Sequence, residues 1–348
     1  MKKLILTSLI LSFCIMNGTS LFAQNLKKES VKVNYIQLPG NPLPSDITTY
    51  SRNIKLPSSL NAGESRSAIS STLEKNARIA GYKLVEEGAP VELFVEIQNF
   101  YNRSFESRTI EKEEKRGEEK VKVNYYVYDL QYKYPLYFSL KVNGEKIQDG
   151  YINNSNDYKL ATSPEFKNSN DRYEWYKKNK TSFISSLRSS ALNTNSGAYG
   201  KSLTDNYAFQ SKSKLVSVLN IKTTKKKNYD DVNAIGLEMQ TALESILPKK
   251  GSAGADFNEK SGPVIEKYIA LLEQVDWKNK KARLNKKAGA YLAGNIAILS
   301  FWANDFDKCR EYLRLADKYS NKSFISEYKS LINAREGRLA KYKASISN

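Results

Sequence analysis

Four short stretches of this 348-residue chain carry residue types that do chemistry elsewhere. Gly200-Lys201-Ser202 matches the end of a phosphate-binding loop. Such a loop cradles phosphates with backbone N–H groups and needs another glycine five residues earlier. Asn195 stands there, and no strand pattern leads in. Asp305-Phe306-Asp307 imitates an acidic metal or sugar-nucleotide motif. Its position between two helical patterns gives Asp305 a helix start to stabilise and makes Phe306 a core residue. Glu86-Glu87 and Asp230-Asp231 are the paired carboxylates. Glycoside hydrolysis needs two acids facing one cleft, and neighbours on a strand or helix point apart. Serine–lysine catalysis has no motif that singles out a pair.

The chain contains no histidine. That removes Ser-His-Asp and Cys-His nucleophile systems and most zinc and transition-metal sites. Cys309 is the sole cysteine after the leading segment, so no intramolecular disulfide is expected. It lies on the apolar side of a helical pattern, which makes it a packing residue. The expectation is a protein that is not an enzyme and holds no cofactor and no metal. A histidine-free hydrolase using a carboxylate pair is the remaining catalytic alternative.

Binding chemistry is better represented. Lysine and arginine number 55 against 37 acidic residues, for a net charge of +18. Such a balance attracts polyanions. Trp277 with Lys278, Lys280, Lys281 and Arg283 forms a basic patch at a helix start. Tyr291, Trp302 and Tyr312 are aromatic positions that fit either a core or a groove. Twenty-three tyrosines are present, among them Tyr126, Tyr128, Tyr132, Tyr134 and Tyr137 in one β-patterned stretch. Tyrosines beside lysines stack on sugars or bases when exposed, and pair across strands when not.

These residues need elements to position them. Residues 1–23 read as a secretory signal, with Lys2 and Lys3 before the apolar run Leu4–Met16 and a cleavage point after Ala23. Phe13 before Cys14 does not suit a lipoprotein box, and the run is broken by Asn17-Gly18 before it reaches spanning length. The expected location is therefore outside the cytoplasm: periplasm, outer membrane or cell surface, with no membrane span after cleavage.

Strand patterns follow at Val31–Leu38, Thr48–Leu56, Tyr82–Val85 and Val91–Ile97, with a helix at Glu64–Ala80. Residues 102–120 mix charges so densely that they form an exposed loop or a projecting hairpin. Asn143-Gly144 marks a type I′ hairpin between Leu136–Val142 and Lys146–Ile152. Residues 153–172 read as linker, then come a helix to Ser202, a strand Lys214–Lys222 and a helix Asp230–Leu247. After the Gly/Lys/Ser-rich stretch Pro248–Gly262 the pattern is all helical, with Ser261 as cap of a helix starting at Pro263. The last helix is expected over Phe324–Ala344 with the stripe Ile325, Tyr328, Ile332, Leu339 and Tyr342.

Within this part, Leu284, Ala288, Tyr291, Leu292, Ile296, Leu299 and Trp302 form one helical stripe. Phe306, Cys309, Leu313, Ala316 and Tyr319 form a second, after an Ala303-Asn304-Asp305 turn. This stretch resembles a tetratricopeptide repeat. Asn304-Asp305-Phe306 stands at that family's turn and first aromatic, and Cys309, Leu313 and Ala316 at its small, large and small positions. Ile296 and Ala297 fit the first helix, whereas Ser300 replaces an aromatic and Asn321 the closing proline. The match covers one repeat of about 34 residues. It implies a helical-hairpin module that presents a surface to partners.

The fold class expected is α+β: a mixed or antiparallel N-terminal sheet with packed helices, then an all-α, repeat-like module. The divisions are 1–23 as signal, 24–160 as the β-rich domain, 161–250 as a helix-strand-helix segment packed on it, and 251–348 as the helical module. The function expected is an exported scaffold or protein-interaction protein of the cell envelope. Its partner would be another envelope protein rather than nucleic acid. The alternative is binding of an anionic glycan or lipopolysaccharide on the tyrosine-rich sheet.

Overall fold

The computed structural model describes residues 26–60, 63–246, 255–319 and 322–347. The signal reading at 1–23 and the start of the Pro248–Gly262 stretch lie outside these residues. In chain order the strands are β1 (Leu26–Gln37), β2 (Thr49–Lys55), β3 (Lys83–Leu84), β4 (Val91–Ile97), β5 (Tyr101–Asn102) and β6 (Glu106–Arg116). They continue with β7 (Glu119–Lys133), β8 (Leu136–Val142), β9 (Glu145–Tyr151), β10 (Lys159–Thr162) and β11 (Gln210–Ile221). The helices are α1 (Arg66–Asn76), α2 (Ser169–Tyr207), α3 (Asp230–Glu244) and α4 (Ala255–Glu273), then α5 (Lys286–Trp302), α6 (Phe306–Tyr319) and α7 (Lys322–Ser347). The class is α+β. No described helix is long and apolar enough to cross a membrane.

The chain divides into two compact units. One comprises Pro39–Ala208 with Ser345–Asn348, and is built on a five-stranded sheet of order β3-β2-β4-β8-β9. Its β2 pairs in parallel with β3 and β4, while β4, β8 and β9 pair antiparallel. Alternation dictates the buried face: Val91, Leu93, Val95 and Ile97 point inward, with Glu92 and Glu96 opposite. Leu73 of α1 and Tyr199 and Leu203 of α2 cover that face. Gly200 sits where a Cβ would come within 2.9 Å of the Asn76 carbonyl oxygen, so the glycine lets α2 approach α1. The Gly200-Lys201-Ser202 trio is helix interior, not a phosphate loop.

In the same unit Glu64 and Arg188 form a buried ion pair at 3.4 Å, and the Tyr134 hydroxyl donates to Glu64 at 2.9 Å. The Asn143-Gly144 turn joins β8 to β9 as expected, with φ of 51° and 83°. Residues 102–120 take the projecting-hairpin form, β6 against β7. With no apolar side to bury, the hairpin pairs charge across the strands: Lys120 with Glu113 at 3.1 Å and Lys122 with Glu111 at 2.7 Å. Residues 153–172 hold more order than a linker, because β10 adds to β7.

The other unit comprises the described residues of 1–38 and 209–344. Here the structure departs from the expected partition. Strand β1 pairs antiparallel with β11 along its whole length, with Val31 opposite Val216 and Val33 opposite Lys214. The helical module is therefore not all-α; it carries a two-stranded ribbon whose strands come from far apart in the chain. The expected 161–250 segment is split, with α2 in the first unit and β11 with α3 in this one. The cause is the apolar alternation of both ribbon strands, which buries Val31, Val33, Val216 and Val218 in the helical core. Helix α4 also starts earlier than expected, at Ala255, with Pro263 inside it. Ser261 is not its cap but bonds back to the Asn258 carbonyl. The buried Phe257 extends the stripe of Val264, Ile265 and Tyr268 by two turns, and the summed burial of that stripe offsets the proline's cost.

A two-stranded ribbon leaves backbone groups unpaired along each edge. Two asparagines occupy the β11 edge where it enters the core. Asn295 of α5 accepts from Leu219 N–H at 2.9 Å and donates to Leu219 C=O at 3.1 Å. Asn233 of α3 accepts from Ile221 N–H at 3.2 Å and donates to its C=O at 3.0 Å. Residues two apart on a strand turn their backbone groups to the same side, so two carboxamides imitate a third strand. Asn295 is wholly buried and also donates to the Tyr268 hydroxyl at 3.0 Å. We expect Asn295→Leu to lower stability by about 2–4 kcal/mol, because it leaves buried backbone and hydroxyl groups unpaired. Asn233→Leu should cost about 1 kcal/mol, since water reaches that half-buried site. Urea unfolding of both variants checks the difference.

Candidate functional site

The candidate site is a cavity of about 80 Å³ in the helical unit. It begins at the end of α5. The Asp305 N–H bonds to Ser300 C=O at 2.9 Å and the Asn304 N–H to Phe301 C=O at 3.1 Å. Asn304 has φ of 62°. These are the two bonds of a helix stop around a left-handed residue, a role asparagine tolerates. Asp305 then caps α6 by accepting the Lys308 N–H at 3.1 Å, so the Asp305-Phe306-Asp307 motif serves a turn and a core.

The stop aims the Asn304 carboxamide at α7, where it accepts from Arg335 Nε at 2.8 Å. Arg335 lies on the stripe of Tyr328, Ile332 and Leu339, a cation among apolar positions. Its guanidinium carbon sits 5.3 Å from the Trp302 ring centre and 5.6 Å from that of Phe301. Cations favour such ring faces. Tyr35 of β1 meets Trp302 edge-on at 5.1 Å. Leu38, Ile246, Leu331 and Leu339 complete apolar walls.

Two other cations line the cavity, and each is engaged. Lys214 bonds to Glu327, and Arg338 donates to the Leu38 carbonyl at 2.6 Å. Among the described residues no carboxylate pairs with Arg335; the nearby Glu336 is taken by Arg310. Burial pushes the Arg335 guanidinium down to about 10, so it stays charged at neutral pH without a counter-charge. The lining contains no carboxylate, serine or cysteine.

The residues singled out from the sequence do not converge. Tyr291 and Trp302 are core, Trp302 at 1% exposure, although the Trp302 ring also walls the cavity. Tyr312 is half-buried at the core margin. Trp277 stacks on Tyr319 at 4.7 Å and fits against Gly289, where a Cβ would meet its ring at 2.7 Å. Trp277 thus sits by the start of α5 and Trp302 at its end, roughly 20 Å apart at 1.5 Å per residue. Lys278, Lys280 and Lys281 are exposed in the loop before α5. Arg283 is held by a two-pronged pair with Asp231, at 2.8 Å for each prong. That pair holds the Asp231 carboxyl below the usual range.

Sequence reasoning missed Arg335, Asn304, Tyr35 and Lys214 as site residues. Arg335 left a readable signal, since it interrupts the 328–332–339–342 stripe at the 335 position. Tyr35 left none, because only the β1–β11 pairing brings it to α5. Among the sheet tyrosines, Tyr134 is core and Tyr128 packs on Phe105 and Tyr176 beneath Arg172. The exposed tyrosines include Tyr101 and Tyr158, each with Lys133 above its ring at 5.4 and 5.3 Å, as well as Tyr151 and Tyr173.

Cys309 is fully buried, and burial pushes its thiol up to about 12. Thiolate is the reactive form. In a Cys14→Ser chain, Ellman's reagent should therefore leave Cys309 untouched in the native protein and titrate it fully in guanidinium; rapid native labelling would contradict the packing role. No family model matches the chain, and no curated protein matches it.

Proposed function

We propose that this chain is an exported, non-enzymatic binding protein of the cell envelope that makes its contacts through the helical unit. The observation that supports the reading is the Arg335 cavity: a preorganised cation in apolar walls, with no carboxylate, serine or cysteine among its lining residues. Export rests on the basic and apolar leader at residues 1–23, and the absence of histidine throughout the chain argues against the common hydrolytic systems. The partner in this reading is another envelope protein, met on the exposed sides of α6 and α7 and the Lys278–Lys281 loop.

A second reading, glycan or lipopolysaccharide binding by the other unit, is favoured by Tyr101 and Tyr158. Both rings are more than two-fifths exposed and flank Lys133, with Arg103 at 4.3 Å over Tyr158. Their faces are already shared with cations of the chain itself, which leaves less ring surface for sugars.

Site-specific photo-cross-linkers in the full chain, expressed in its native envelope, test the first reading. Positions Tyr312 and Lys280 should yield one discrete protein adduct, and a position on the projecting hairpin such as Lys120 should not. Adducts confined to the hairpin would overturn it. Retention on anionic glycan that weakens steeply with salt, and is lost in Tyr101→Ala/Tyr158→Ala, would favour the second reading instead.

A further inference from the structure

We infer that the Arg335 cavity is a receptor site for a monocarboxylate bearing a short apolar tail. The inference rests on the binding reading above and gives the site a ligand chemistry. Three observations carry it.

First, the charge is uncompensated. Lys214 has Glu327 and Arg338 has the Leu38 carbonyl, whereas Arg335 bonds only Asn304, through Nε. Its two terminal nitrogens have no acceptor among the described residues. A guanidinium presents parallel N–H groups that match a carboxylate in a two-pronged pair.

Second, the fork is held in place before any ligand arrives. Asn304 grips Nε from a left-handed helix stop, and the rings of Phe301 and Trp302 flank the guanidinium. A ligand then pays little to order it.

Third, the remaining walls are apolar. Leu38, Ile246, Leu331, Leu339 and the Tyr35 ring bound a space of about 80 Å³. At about 30 Å³ per liquid water, that space takes a carboxylate head and its first carbons. Inorganic phosphate fits the charge and not the walls; a neutral amide fits the walls and not the charge. Arg335 remains charged well above neutrality, so the acid's own ionisation governs pH dependence.

Calorimetric titration of the full mature chain with propionate, butyrate, their amides and inorganic phosphate tests this. The acids should bind with Kd on the order of 0.1 mM and at least about tenfold tighter than the amides or phosphate. Affinity should be level from about pH 6 to 9 and fall below about pH 5 as the carboxylate protonates. Arg335→Met should abolish binding, and Arg335→Lys, which keeps charge but not the fork, should weaken it roughly tenfold. Both variants are checked by thermal melting. If Arg335→Met does not fold, the lysine variant and the acid-to-amide ratio decide the matter alone. Equal affinity for acid and amide, stronger binding of phosphate, no acid binding up to about 10 mM, or wild-type affinity in a folded Arg335→Lys protein each overturns it. Partner cross-linking does not require the acid. Lost acid binding with the adduct retained rejects only the ligand; the converse rejects only the scaffold.

Discussion

The helical unit depends on how the open edge of β11 is closed. A ribbon of two strands cannot enter a core without bringing unpaired N–H and C=O groups with it, and each such group is costly in apolar surroundings. Asn295 and Asn233 remove the cost at Leu219 and Ile221. With those groups satisfied, β11 lies against α5, β1 follows through its ladder, and Tyr35 is delivered to Trp302. The cavity exists because of that chain of placements. An asparagine in the middle of an otherwise apolar helix is thus the hinge between secondary structure and site.

The same unit tolerates a second polar intrusion for a different reason. Arg335 occupies a core-stripe position where leucine would be buried without the cost of desolvating a charge. The anchoring of α7 does not depend on it alone, since Tyr328, Ile332 and Leu339 are buried on either side. The buried Arg188, by contrast, has a carboxylate partner in Glu64. The two arginines differ in that Arg188 is neutralised by a carboxylate, whereas Arg335 meets only a carboxamide and two ring faces and lines a cavity.

Much of the fold was legible from local pattern. Val91–Ile97 alternates so cleanly that its bounds match the strand, and Asn143-Gly144 demanded a hairpin. The helix pair around Asn304 was also readable, since its two stripes and turn residues agree. What was not legible depends on distance. The ribbon joins residues near the start of the chain to residues near its middle, and periodicity carries no information on that pairing. Hence the helical part read as all-α and α3 as belonging with the sheet. Pro263 misled for a local reason: proline suits a first turn, but apolar burial at Phe257 carried the helix through it. The site was the least legible part, because its residues come from β1, β11, α5 and α7. Only Arg335 betrayed itself, as a charge out of register.

The β1–β11 pairing has a topological consequence. Everything from Pro39 to Ala208 is an inserted domain, threaded between two strands that must later meet. Its two ends lie side by side: the Gly40 N–H bonds to Asp205 C=O at 2.9 Å and the Asn41 N–H to Asn206 C=O at 2.7 Å. Once the insert has folded, the closure entropy of a loop of that length is already met, and Gln37 stands opposite Gln210. A chain that emerges from its N-terminus must therefore hold β1 in waiting while the insert matures, and the helices can enclose their core only afterwards. Assembly order is written into the connectivity: the insert acts as the clasp that brings the two halves of the host together.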